Sequence, residues 1–172
     1  MPGYVIHLAV AEEYLRKHSQ KKEKYNQFIN WTIFPDSVMD KSKTHYGDGS
    51  SNSNLYKFLL DRDMKTSFNR GYFLHLLSDY LFYNKYIECF SKKIYDDYDL
   101  LNKKLIDKYK VTLPEEVKSK VFYKDYGELT ILSESLVEKF VDEISDMDIY
   151  NIAEEVKINP EKWTKIRKLK YI

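Results

Sequence analysis

The stretch Arg70-Gly71-Tyr72-Phe73-Leu74-His75-Leu76-Leu77-Ser78-Asp79-Tyr80-Leu81-Phe82-Tyr83 decides how the chain is read. Its members other than the polar pair His75 and Asp79 are almost all apolar or aromatic, so those two groups lie where a helix should be packed. His75 and Asp79 stand four residues apart within it, which puts an imidazole and a carboxylate one turn apart on one helix face. Both groups are costly to bury unless each is bonded, and one divalent cation satisfies both.

Working outward, the same periodicity predicts helices almost throughout. The first runs from about Tyr4 to Lys17, and Phe28, Ile29, Trp31 and Ile33 mark a second, shorter segment. Proline disfavours the α conformation of the residue before it, so Phe34-Pro35-Asp36 is expected to break that second helix. A polar stretch then continues to Asn54, a length of connection that in a compact domain is usually functional or disordered; it contains His45. Helical pattern resumes from Leu55 to about Asp63, capped by Ser53 or Asn54, from about Phe68 to Tyr95, and from Asp96 to Lys110. Thr112-Leu113-Pro114-Glu115 reads as a capping box opening another helix. Glu128 to about Ser145 carries an apolar stripe, and Asn159-Pro160 starts a last short helix with Trp163, Ile166 and Leu169. There is no repeat, no glycine-rich phosphate loop and no strand alternation. The expected fold class is all-α, a single-domain helical bundle over residues 1–172, with a metal-site half at about 1–95 and accessory helices at about 96–172.

The 172 residues suffice to bury roughly two thirds of the unfolded surface. Lysine plus arginine number 28 against 27 aspartate plus glutamate, so no global field calls for nucleic acid or an anionic membrane as obligate partner. The 16 tyrosines and 9 phenylalanines are read as core and rim packing. The single cysteine, Cys89, excludes an intramolecular disulfide and is expected as a packed thiol on the long helix. The N-terminus lacks the basic region and apolar run of a signal peptide, and no stretch approaches the roughly 18 apolar residues of a membrane span, so a soluble, cytoplasmic protein is expected.

Of the 4 histidines, His18 lies in the hydrophilic run Arg16-Lys17-His18-Ser19-Gln20-Lys21-Lys22 and is read as solvated. The other three, His7, His45 and His75, together with Asp36 and Asp79, make an imidazole and carboxylate set suited to zinc or another borderline divalent ion. An HD-type phosphohydrolase is disfavoured, because no adjacent His-Asp pair exists.

The segments Met1-Pro2-Gly3-Tyr4-Val5-Ile6-His7, Phe34-Pro35-Asp36 after a tryptophan-containing helix, Lys41-Ser42-Lys43-Thr44-His45 and Arg70 to Asp79 resemble, in order and spacing, the zinc-dependent phospholipase C family and the related P1-type nucleases. The resemblance covers roughly residues 1–85. It implies an all-helical phosphoric ester hydrolase with a three-zinc cluster, in which Asp36, His45, His75 and Asp79 form one zinc site. His7 would belong to a second site bridged by Asp79 and completed by the mature N-terminal residue, a position that removal of Met1 would give to Pro2. The third site has no counterpart: Lys85 stands where a histidine is needed, no histidine follows His75, and only carboxylates such as Glu134 and Glu138 are available to rebuild it.

The expected function is therefore a short intracellular relative with one or two zinc ions, hydrolysing a small-molecule or lipid-derived phosphate ester with a metal-activated water. Asp36 would orient or deprotonate that water, and Arg70, Lys41 and Lys43 are the nearest cations in sequence to meet phosphate oxygens. The alternative is a non-catalytic helical protein whose metal is structural or regulatory.

Overall fold

The computed structural model describes residues 2–172. Among them are eight α-helices: α1 (Tyr4–Lys17), α2 (Tyr25–Ser37), α3 (Leu55–Asp61), α4 (Ser67–Leu81), α5 (Ile94–Tyr109), α6 (Glu115–Lys118), α7 (Glu134–Asp146) and α8 (Ile149–Ile158). The all-α expectation holds, with one addition. Two two-residue strands, β1 (Cys89–Phe90) and β2 (Lys170–Tyr171), pair in parallel. None of these helices is long and apolar enough to cross a membrane.

Helices α1 and α4 form the centre. In α4 every residue from Arg70 to Leu81 is buried, as its unbroken apolar composition requires, and α1 is buried from Val5 to Glu12. Helix α2 lies along α4 in a close approach that only glycine permits: a Cβ on Gly71 would stand 2.2 Å from the Phe28 carbonyl oxygen. Helices α5 and α7 pack against α1, while α3 and α8 pack together beside α4. Asn54, Thr66, Ser133 and Asp148 each accept a backbone N–H at the start of α3, α4, α7 and α8.

Several expectations are corrected. Helix α2 does not stop at Phe34 but runs through Pro35 to Ser37. The cost of a last-turn proline is one missing N–H, and side chains satisfy the carbonyls that the helix end leaves open. Ser37 Oγ donates to Phe34 O at 2.7 Å, Thr44 Oγ1 to Pro35 O at 2.8 Å, and Tyr4 OH to Asp36 O at 2.9 Å. The helix expected to reach Tyr95 ends at Leu81 in a π-turn, Phe82–Tyr86, where Asn84 Nδ2 donates to Tyr80 O. Cys89 therefore sits on β1, half-buried, instead of inside a helix.

Thr112 caps nothing; α6 begins after Pro114 without a side-chain cap. The helix expected from Glu128 starts at Glu134, because the buried Asp97 carboxylate takes the backbone N–H groups of Thr130, Ile131 and Leu132 at 2.8–2.9 Å and holds them out of helical pairing. Helix α8 carried no singled-out signal in the sequence, and the segment after Asn159 is one 3₁₀ turn, Pro160–Trp163. His18 is not simply solvated: it stacks on Tyr14 at 4.2 Å, and its Nε2 hydrogen-bonds Ser145 O at 3.0 Å, joining the end of α1 to α7.

Candidate metal centre

Five side chains from four elements meet in the interior. His7 comes from α1, Asp36 from the last turn of α2, His45 from the connection after it, and His75 and Asp79 from α4. Relative exposures are 1%, 5%, 0%, 0% and 0%. The connection between Ser37 and Leu55 is not structureless. Two 3₁₀ turns, Lys41–Lys43 and Ser50–Asn52, shape it. Thr44 bonded to Pro35 O, Tyr72 OH donating to Thr44 O and Asn54 N donating to His45 O at 2.9 Å lock His45 inward.

The ring orientations are set by carbonyls, which only accept. His75 Nδ1 lies 2.7 Å from Thr32 O, and His45 Nδ1 lies 3.1 Å from Lys41 O and 3.0 Å from Thr44 Oγ1, whose own proton goes to Pro35 O, so a proton on each Nδ1 has an acceptor. Each neutral ring then presents an Nε2 lone pair to the cluster, and those two Nε2 atoms are 3.2 Å apart. Two lone pairs at that distance repel unless a proton or a cation lies between them.

The remaining spacings could also hold a cation. His45 Nε2 is 2.9 Å from Asp79 Oδ2 and 3.6 Å from Asp36 Oδ1; His75 Nε2 is 3.4 Å and 3.8 Å from the same two atoms. Ligands about 2.0–2.1 Å from one centre stand about 3.3 Å apart at the corners of a tetrahedron, which these distances bracket. The other oxygens of the two carboxylates turn toward His7, whose Nε2 is 3.3 Å from Asp79 Oδ1 and 3.8 Å from Asp36 Oδ2. Both His7 nitrogens and all four carboxylate oxygens are buried without a hydrogen-bond partner. Buried polar atoms left this way cost about 1–3 kcal/mol each, and more when charged. The residues fit a divalent ion, and the groups His7, His75, Asp79 and Asp36, His45, His75 can each hold one.

Electrostatics follow the geometry. Burial, reinforced by the neighbouring His75, pushes His7 below its ordinary value. Burial also opposes charge on His75, but Asp79 and Asp36 outweigh it and hold that imidazole above its ordinary value. For Asp79 burial acts upward, and the imidazoles of His75, His45 and His7 override it, holding the carboxyl well below the usual range. His7 and His75 stack face to face, centroids 3.9 Å apart and planes 16° from parallel.

All five residues anticipated as ligands are thus brought together. Arg70 is not among them. Its guanidinium grips Glu23 through Nε and Nη2 at 2.6 and 2.7 Å and donates from Nη1 to Met64 O at 2.9 Å. The cation beside the cluster is Lys41, whose Nζ donates to Asp36 O and lies 3.5 Å from Asp36 Oδ1. Lys43 is 3.8 Å from Asp40 and largely exposed, and Glu134 and Glu138 pair with Lys104 and Lys108 on the surface. The N-terminal group expected beside His7 falls on Met1, outside the described residues, and on Pro2, which is buried. Sequence reasoning missed the Thr32 and Lys41 carbonyls that orient the rings; backbone acceptors leave no residue-type signal.

Two cavities flank the centre. One, about 320 Å³, is lined by Gly3, Tyr4, Tyr98 and Lys120; the other, about 370 Å³, by Lys41 and a group of aromatic side chains, and Tyr95 lines both. No family model, no curated protein and no solved structure matches the chain.

Proposed function

We propose that this chain binds zinc at His45, His75, Asp36 and Asp79, with His7 and the second oxygens of both carboxylates forming an adjoining position, and that it hydrolyses phosphate esters in the manner of the zinc-dependent phospholipase C and P1-type nuclease family it resembles. One observation carries the metal: two Nε2 atoms 3.2 Å apart, each with its Nδ1 proton spent on a carbonyl. Zinc rather than magnesium or calcium follows from the imidazole content of the donor set. The bound metal supplies a Lewis acid that activates water and offsets charge on phosphate oxygens.

The chain's own groups do the rest. Asp36 and Asp79 each divide their two oxygens between the His45–His75 side and the His7 side, so both carboxylates would help hold metal at either position. Asp36 would also orient or deprotonate the attacking water, and Lys41, 3.5 Å from its Oδ1, stands where a phosphate oxygen would need a cation. The His7 side has three donors against four on the other, the open coordination that catalytic zinc sites have.

A second reading rests on burial. No ligand residue lines either flanking cavity, and four protein donors at tetrahedral spacing describe a closed, structural zinc site. Elemental analysis of purified protein, with a hydrolysis screen over phosphodiesters and phosphomonoesters in chelator and in added Zn²⁺, separates the two. Bound zinc with chelator-sensitive hydrolysis supports the enzyme; bound zinc with no hydrolysis supports the structural site; no bound metal overturns both.

A further inference from the structure

We infer that the cavity beside Lys41 is the substrate pocket of this centre and that it takes a flat aromatic ring carried on a phosphate ester. The inference rests on the hydrolase reading above but concerns a different set of residues. The cavity, about 370 Å³, falls in the roughly 300–1,000 Å³ range of small-molecule pockets. Its walls are Tyr83, Phe90, Tyr95 and Tyr171, drawn from the π-turn after α4, from β1, from the first turn of α5 and from β2. Phe90 and Tyr171 are register partners in the two-residue sheet, with rings 6.0 Å apart at 69°, and Tyr83 stands 6.4 Å from Phe90 on the other side. Tyr171 is 80% and Tyr95 52% exposed, large apolar surfaces left open around one opening.

Among the described residues Lys41 is the only charged side chain lining this cavity, and it also touches Asp36 of the metal centre. A phosphate placed at Lys41 would therefore have the centre on one side and the aromatic walls on the other. Aromatic walls accept either a flat ring by stacking or a quaternary ammonium by cation–π attraction. The positive Lys41 and the lack of any lining carboxylate oppose the cation, which leaves the ring. Ser51 at the rim adds a hydroxyl for the edge of that ring. Nucleoside monophosphates and simple aryl phosphates share this chemistry.

The test is a calorimetric titration of phenyl phosphate, adenosine monophosphate, phosphocholine and inorganic phosphate into the zinc-loaded and the chelated protein. Phenyl phosphate or adenosine monophosphate is expected to bind at least about tenfold more tightly than phosphocholine, the tighter of the two naming the source of the ring. Tyr171→Ala, at an exposed position, should weaken the ring ligands by about five- to tenfold or more and leave inorganic phosphate unchanged. Lys41→Met should weaken all the phosphates together, with recovery in Lys41→Arg. Equal or tighter binding of phosphocholine, or a Tyr171→Ala variant that binds ring ligands like the parent, overturns the inference. Failure of zinc to bind removes the hydrolase reading alone, because ring preference and its loss in Tyr171→Ala remain measurable in the chelated protein.

Discussion

Helices α4 and α7 bury their residues for different reasons. In α7 the buried set is a stripe, Val137, Phe140, Val141 and Ile144, and the opposite face spends its charges on surface pairs such as Lys104–Glu134 and Lys108–Glu138. In α4 no face is exposed between Arg70 and Leu81, and His75 and Asp79 lie inside the packed surface. An amphipathic helix is stabilised by area removed from water. A helix with an imidazole and a carboxylate in its buried face depends in addition on whatever those groups bind. The half built around α1, α2 and α4 should thus respond to metal, and the half built around α5 and α7 should not.

The largest expected effect is metal-blind. Phe140→Ala removes a fully buried ring from the contact with Phe82 and Tyr86, and should cost about 3–5 kcal/mol in denaturant unfolding, equally with and without chelator. Next, chelation of the parent protein should lower stability by about 3–4 kcal/mol at zinc several hundred times Kd, a drop of roughly ten degrees in Tm by calorimetry. Identical melting curves with and without chelator would erase the contrast between the halves. Asp79→Asn should lower hydrolysis of a phosphodiester at least about a hundredfold and make the melting temperature insensitive to chelator, since it removes charge from the residue that faces both sides of the cluster.

A pH series sharpens the same comparison. Metal needs neutral imidazoles, and His75 is held above its ordinary value in the metal-free protein, so protons compete with zinc from a pH above the usual histidine range downward. Zinc affinity measured by competition should fall about tenfold per pH unit below that point, one proton being displaced per ion. The metal-free protein behaves oppositely. The raised His75 contributes stability at low pH that is lost as pH rises through its folded value, so the stabilisation by zinc should widen toward alkaline pH. The depressed Asp79 contributes stability above the ordinary carboxyl value that is lost only in stronger acid. The smallest effect is expected on the surface of the second half, where Lys104→Ala should change stability by less than about 0.5 kcal/mol, with or without metal.

Local periodicity alone determined that the chain is helical, that α1 spans Tyr4 to Lys17 and that His75 and Asp79 share a face, because a helix of 3.6 residues per turn imposes these relations with no help from elsewhere. The residue types alone also determined a nitrogen and oxygen donor set. Their meeting was decided by tertiary structure. Gly71 lets α2 approach α4 and bring Asp36 in; Tyr72 and Thr44 fold the polar connection inward so that His45 faces His75. Where local rules failed, a distant group had supplied the missing bond. Thr44 and Tyr4 satisfy the open carbonyls of a helix that runs through Pro35, and Asp97 holds three N–H groups of a segment that would otherwise join α7. Arg70 shows the same limit. Its place in the sequence beside the ligands is local, but the carboxylate that claims its guanidinium, Glu23, lies 47 residues away, and a hydrogen bond depends on distance in space, not along the chain.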